Sequence, residues 1–447
     1  MSGRRHNDVL RRRAAARTAH GAALVLLACV AVITVDAGHA RRCAARETFS
    51  IDYVVTIDDR DRSVARVRWD LAGIDEINAL TLHFSAARFR DFEGTGTLEV
   101  VPGGLKWLLK GPYAHLTYRV TIDNIRGQHQ RYDSYAGPTW IVTRARALFP
   151  QVDVDWSARN GGTPTSRARL QFRLPAGWRS AAALESLGPH LFRLEQPGKV
   201  LDRPRGWFAL GDLRTEREDI DGTLLQVVRM PGSTLDTKAL FRFLDGTLPA
   251  LQRLLATTVP QLLLVSAPDP MWHGGISGER SFFMHADRPL RTPDHTSPYL
   301  HELFHVLQDY KPAADADWIE EGLAEYYSLE LQRRAGLVDG PAFARALGYF
   351  QRYGMWNVNL TQQHDNAATN NSAPLVMYAL DQRIQRATAG KARLDDVVQL
   401  LVRNGGTVDT RRFRDAIKAV SGKAFPKFFE RHVVHGTPVA LGDAVDR

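Results

Sequence analysis

From Phe49 onward, apolar residues fall at every second position. Phe49, Ile51, Tyr53, Val55 and Ile57 alternate with Ser50, Asp52, Val54, Thr56 and Asp58, with Val54 the one break. Successive side chains of a strand point to opposite faces, so a period of two predicts a half-buried β-strand. Leu80, Leu82 and Phe84 repeat the alternation, as do Leu116, Tyr118, Val120 and Ile122, and then Leu170, Phe172 and Leu174, with Gly, Asp and Pro between the runs. Short alternating strands punctuated by turn residues predict an antiparallel β-sandwich over residues 46–215.

The texture changes after residue 216. Residues 224–230 and 261–266 read as strands on either side of a helical run over 235–255, and 281–284 reads as a further strand. Leu300, Leu303, Phe304 and Leu307 then recur at helical spacing, which predicts an amphipathic helix pressed into a core. Ser297 is placed to cap it, Pro298 suits its first position, and Pro312 bars its continuation. Helices are predicted over 341–353, 374–387, 394–403, 410–420 and 425–434, with 357–372, rich in Asn, Gln and Thr, as a loop. The fold class is therefore α+β: a sandwich over 46–215, a mixed α/β domain over 216–335 and a helical domain over 336–447.

Residues 1–40 read as an address rather than structure. Arg11, Arg12, Arg13 and Arg17 precede a largely apolar run over 21–35, and Gly38, His39 and Ala40 offer small residues for cleavage. The expectation is a signal peptide or an uncleaved N-terminal anchor, and so an extracytoplasmic protein, periplasmic or secreted, with membrane association through 21–35 as the anchored form. This segment holds six Arg and two Asp, so its removal lowers the net charge from +9 to +5. No basic block interleaved with aromatics remains, and no nucleic-acid partner is expected. Cys29 and Cys43 are the only cysteines, which leaves no internal disulfide framework once Cys29 departs with the leader.

The candidate chemistry lies in His301-Glu302-Leu303-Phe304-His305 and, downstream, Trp318-Ile319-Glu320-Glu321-Gly322. Each helical residue turns about 100°, so His301 and His305 lie within about 40° of one another, with Glu302 on the adjoining flank. Two imidazoles so spaced can share one tetrahedral ion, and the carboxylate between them can reach a water. With Glu321 as third ligand the set is two His and one Glu with a fourth position open, the arrangement of a catalytic rather than a structural Zn2+. Zinc lowers the pKa of water towards ~7; Glu302 would take the proton and pass it to a leaving amine. Glu320 is the rival third ligand, about 100° round the helix. Gly322 favours Glu321, because a residue without a side chain there permits close helix approach. Glu325, at i+4 from Glu321, is placed to hold the free N–H of His301, the alternative being a solvated carboxylate.

HELFH followed by WIEEGLAEYY resembles the gluzincin metallopeptidases, most closely the glycyl aminopeptidase family. The strand Tyr53-Val54-Val55-Thr56-Ile57-Asp58-Asp59 is similar to that family's N-terminal sandwich. Leu380-Asp381-Gln382-Arg383-Ile384, Leu394-Asp395-Asp396-Val397 and Phe428-Phe429-Glu430-Arg431-His432-Val433 resemble its helical region. The resemblance spans about residues 46–440 and implies a thermolysin-like catalytic domain, Zn2+, a peptide or protein substrate and cleavage near peptide N-termini. Three departures qualify it. Relatives carry a Gly-Gly-Leu-Glu-type motif whose Glu binds the substrate amine; here Gly274 and Gly275 stand in place as substrate-binding residues, but Glu279 is displaced by two positions and is either the amine ligand or a surface carboxylate. Relatives stabilise the oxyanion with a Tyr; here Asn370 stands in that place, as an amide donor or as plain loop, with Tyr378, Tyr326 and Tyr327 as rivals. Many relatives continue into a PDZ-like module, which is not expected before Arg447. The expected function is a zinc-dependent metallopeptidase, possible as an aminopeptidase. The alternatives are a catalytically impaired zinc-binding homologue that serves as an extracytoplasmic binding protein, and the same chemistry on another amide.

Overall fold

The alternation that begins at Phe49 builds the strand Thr48–Ile57, with Phe49, Ile51, Tyr53, Val55 and Ile57 all buried. The computed structural model describes residues 48–126, 130–157, 162–196 and 198–441, so the leader and the apolar run 21–35 lie outside the described residues. All described residues belong to one compact unit, Ala45–Arg447. Thr48–Ile57 pairs antiparallel with Val64–Ala72 and parallel with Thr165–Arg173, near the centre of a seven-stranded sheet. The parallel pair departs from the antiparallel expectation. A period of two fixes which face a strand buries, but it is silent on the direction of the neighbour.

A four-stranded sheet built on Ile77–His83 contributes Leu80, Leu82 and, from Gly104–Leu108, Trp107 to the same core as the seven-stranded sheet. A third sheet of five strands includes Trp207–Gly211, every residue of which is buried. Phe208 and Leu210 enter the core of the long sheet, whereas Trp207 and Ala209 enter a second cluster with Leu263, Val265, Ile276 and Phe283. A strand apolar on both faces shows no alternation. This one forms the layer that joins the N-terminal sheets to the rest of the molecule.

The next sheet has the order Arg214–Ile220, Thr223–Arg229, Gln261–Ala267, Ser281–His285, Gly275–Gly278. Its three inner strands run parallel, and the short strand Gly275–Gly278 lies antiparallel at the edge. The run 235–255 breaks at Gly246 into helices Thr237–Asp245 and Leu248–Leu254, the first capped by the Asp236 side chain. Helix Pro298–Leu307 packs beside the edge strand and Asp317–Arg334 packs on that helix, followed by Gly340–Tyr353, Ala373–Ala387, Leu394–Asn404 and Thr410–Ser421. One apolar core runs from Ile220 to Val439, across the boundary expected at 335/336. The sheet and the later helices are thus a single packed body. No helix among the described residues is long and apolar enough to cross a membrane.

Candidate metal centre

Ser297 begins the first helix of the site: its side-chain oxygen accepts from the Leu300 amide, and Pro298 follows at the first helical position. Tyr299, Leu300, Leu303, Phe304 and Leu307 are buried, which fixes the helix's rotation and leaves His301, Glu302 and His305 partly exposed on the other side. Asp317–Arg334 crosses this helix and presents Glu320, Glu321 and Glu325 from the other side. Gly322 lies against the helix Ala373–Ala387. A β-carbon there would stand 2.9 Å from Ala373 Cβ and 3.3 Å from Met377 Cε.

Three ligand groups converge. His301 Nε2 and His305 Nε2 are 3.1 Å apart, Glu321 Oε2 is 3.2 Å from His301 Nε2, and Glu321 Oε1 is 3.7 Å from His305 Nε2. A tetrahedral zinc with bonds near 2.05 Å sets its ligand atoms about 3.3 Å apart. The triangle therefore matches zinc in donor chemistry and in size, and no other described His, Cys, Asp or Glu joins this group.

Each imidazole is held from behind by its own carboxylate. His301 Nδ1 meets Glu325 at 2.9 Å and His305 Nδ1 meets Glu320 at 3.3 Å, with the Gln308 amide donating to Glu320. Glu320, the rival third ligand in the sequence, thus stands behind His305 instead. A carboxylate on Nδ1 fixes ring orientation and leaves Nε2 for the ion. Burial opposes charge on both imidazoles, but the surrounding carboxylates outweigh it: His301 is held well above its ordinary pKa, and His305 is raised to about 9. Glu321 shows the converse, with hydrogen bonds to His301 and His305 overcoming burial to hold its carboxyl far below the usual range. This concentration of opposite charge is what a divalent cation would replace.

Glu302 points to the other flank, against the edge strand. A β-carbon on Gly275 would lie 2.4 Å from Glu302 Cγ and 2.5 Å from Oε1, so only glycine leaves room for the carboxylate. Gly274 is likewise pressed on Trp272, where a β-carbon would lie 2.6 Å from Nε1. Burial pushes the Glu302 carboxyl up, against the pull of His301 and His305. The charge of Arg126 also bears on Glu302, and that of Glu302 on the largely buried Arg144. Both arginines come from the N-terminal sheets, a contribution that no local motif announces.

The remaining candidates lie apart from this centre or are otherwise engaged. Glu279 lies four residues beyond Gly275, about 13 Å along an extended chain, and pairs with Arg205 at 2.9 Å. The structure does not bring it to the metal centre. Asn370 sits in a π-helical turn, Ala368–Ser372, and its amide donates to the Asn366 carbonyl at 3.1 Å. The Tyr326 and Tyr327 hydroxyls donate to Asp381 and Asp395, each at 3.0 Å, within the buried helical layer. Tyr378 packs against Phe343. Tyr349, which no local motif marks, is exposed and lies with its ring tilted against Tyr353 at 4.4 Å, and its hydroxyl pKa is raised by burial and by the charges of Asp294, Tyr353 and Glu325.

No protein-family profile and no curated protein matches the chain by sequence. Solved structures do. An aminopeptidase N family protein from Idiomarina loihiensis superposes with a TM-score of 0.69 at 16% identity, over 88% of this chain and 78% of that one. An M1 zinc metallopeptidase from Deinococcus radiodurans, bound to a Tyr-Ser-Ala substrate, gives 0.59 at 14% identity, over 88% and 95%. Aminopeptidase A from Legionella pneumophila, in complex with aspartic acid, gives 0.53 at 12%, over 86% of this chain and 49% of that one. The sequence resemblance pointed within the gluzincins to glycyl aminopeptidases; the structural likeness is to M1 aminopeptidases. At these identities the likeness speaks for the fold alone: the chain has the fold of these M1 zinc metallopeptidase structures.

Proposed function

We propose that this chain is a zinc-dependent peptidase in which Glu302 is the general base. The observation that carries the reading is the position of Glu302: seated against the bare backbone of Gly275, one residue from a ligand triangle of zinc dimensions. A purely structural zinc site would have no use for that carboxylate. When bound, zinc supplies a Lewis acid that polarises the substrate carbonyl and acidifies water. His301, His305 and Glu321 would hold it, with Glu325 and Glu320 orienting the two imidazoles. Glu302 takes a proton from water as the water oxygen bonds to the scissile carbonyl carbon, then gives it to the departing amine nitrogen as the C–N bond breaks. A raised carboxyl pKa suits a group that must both accept and return a proton. The free side of Gly275–Gly278 offers main-chain groups for an extended peptide to pair with.

Peptide or protein substrates follow from this reading, and the Tyr-Ser-Ala complex of the Deinococcus protein supports it. Aminopeptidase action needs a carboxylate for the substrate amine. With Glu279 engaged by Arg205, the support for such action comes from the aminopeptidase fold alone. The proposed organisation is an N-terminal sandwich that supplies Arg126 and Arg144, then one catalytic and helical body. The leader reading makes the proposed location extracytoplasmic. One observation favours the alternative of an impaired homologue: the Tyr326 and Tyr327 hydroxyls and one N–H of the Asn370 amide donate within the fold. Incubation of the full chain with a mixed peptide library, before and after chelation and zinc return, separates these readings by mass spectrometry. Zinc-restored cleavage supports the peptidase, and its position defines exo- or endo-action. Zinc uptake with no cleavage of any peptide supports the binding protein.

A further inference from the structure

A second group of ligand-type side chains stands beside the edge strand. Asp269 and His273 belong to the segment that leads into Gly275–Gly278, and His285 closes the neighbouring strand, Ser281–His285. His273 Nε2 lies 2.7 Å from Asp269 Oδ1, and His285 Nε2 lies 3.7 Å from that same oxygen. The two imidazole rings are 4.1 Å apart. Among the described residues only this trio and the His301 group bring three ligand atoms so close together.

The telling atom is His285 Nε2. The side chain is only 5% exposed, and Nε2 is buried without a hydrogen-bond partner. Its Nδ1 is engaged with Asp287 Oδ1 at 2.5 Å, the same carboxylate backing that Glu325 gives His301. With the ring proton on Nδ1, Nε2 turns a lone pair towards a carboxylate oxygen too far away for a hydrogen bond. A buried imidazole nitrogen without a partner is unfavourable, and a cation held between it and the more exposed Asp269 carboxylate would satisfy it. Arg131 also reaches Asp269 and competes for the same oxygen.

We propose that Asp269, His273 and His285 form a second site for a divalent transition metal, zinc above all. Two imidazoles and one carboxylate are a borderline-soft set suited to that ion. Competition from Arg131 makes it the weaker of the two sites. An ion there ties the Asp269–His273 segment to the end of Ser281–His285, where the His285 amide already donates to Gly274 O at 3.1 Å. It thereby steadies the Gly274-Gly275 backbone against Glu302. The site is independent of the zinc at His301 and needs neither that zinc nor any activity.

The test is zinc stoichiometry on the full chain, measured by elemental mass spectrometry after equilibrium dialysis. Five proteins are compared: wild type, His273→Gln, His285→Gln, His301→Ala/His305→Ala, and the triple variant with His273→Gln. His273 is partly exposed, so its change leaves packing intact; His285→Gln is the second variant. The expected contents are two equivalents for wild type, one for each single-site variant and none for the triple. In the His301→Ala/His305→Ala background, zinc raises Tm and His273→Gln abolishes that rise. One equivalent in wild type, kept by His273→Gln and lost with His301 and His305, overturns the second site and leaves the first intact. One equivalent lost with His273 and kept without His301 and His305 supports this site and sinks the first.

Discussion

Gly275→Ala isolates the placement of Glu302 from every other feature of the site. The added carbon would stand 2.4 Å from Cγ, 2.5 Å from Oε1 and 2.6 Å from Cδ of Glu302, where ordinary contact begins at 3.4 Å. The carboxylate must therefore retreat by about 1 Å, the difference between 3.4 and 2.4 Å. The obstructing atoms belong to the free end of a flexible side chain, so the fold gives way easily and stability should change by less than about 1 kcal/mol. A misplacement of that size costs roughly 10²-fold in rate, or about 2.7 kcal/mol of transition-state stabilisation. The assay is kcat and KM on any peptide the wild type cleaves, with zinc content and Tm measured on the same samples. The expected outcome is kcat down about 100-fold at full zinc occupancy and unchanged Tm. The Gly275→Ala/Glu302→Gln double variant should be little worse than Glu302→Gln, because both changes act through one group. Wild-type kcat in Gly275→Ala, or losses that multiply in the double variant, would refute the reasoning.

Glu325→Gln and Glu320→Gln each remove the carboxylate behind one imidazole and should weaken zinc binding by about 10–100-fold, read from competition with a chromogenic chelator. Gly322→Ala forces Ala373 away from 2.9 Å and should cost about 1–3 kcal/mol in chemical unfolding, recovered in part by Ala373→Gly. Arg334 holds Asp395 through contacts of 2.6 and 2.9 Å and Tyr327 donates to it at 3.0 Å; burial works against the charge, but these partners outweigh it and hold the carboxyl below its ordinary range. The ionised form is thus the one favoured in the folded state. Its contribution is complete above the unfolded carboxylate value of ~3.9 and fades as pH falls through the folded value. The stability gap between wild type and Asp395→Asn should therefore be widest near neutrality and close in acid, and a gap that does not change with pH would contradict this.

What could be read from the sequence was whatever one short stretch contains. The alternation from Phe49 to Ile57 gives a strand and its buried face, and the spacing of Leu300, Leu303, Phe304 and Leu307 gives a helix and its rotation. That rotation in turn puts His301 and His305 on one side. The preference for Glu321 over Glu320 was also local: adjacent helical residues diverge by about 100°, so only one can point at the ion, and Gly322 beside Glu321 allows the close helix approach, while Glu320 faces the same helix from behind His305. Features that join distant segments had no such signal. The parallel pairing of Thr48–Ile57 with Thr165–Arg173 depends on the route of the chain between them. Trp207–Gly211 is buried on both faces, so its apolar run carries no period. Glu279 keeps the right chemistry near the right glycines, yet Arg205 claims it from the turn before Trp207. Arg126 and Arg144 reach the site only because a separate sheet packs there. The π-helical turn Ala368–Ser372 falls in a polar stretch with loop composition, which hides a helix whose stability comes from packing.

The central claim is that Glu302 moves the proton while His301, His305 and Glu321 hold the ion. Glu302→Gln separates these roles, since it keeps the shape and removes the base. Turnover of a mixed peptide library by wild type and Glu302→Gln, at equal measured zinc content, is the most direct test. The account predicts cleavage by wild type and a loss of at least about 10²-fold in the variant with zinc retained. Equal turnover by the two proteins would contradict it.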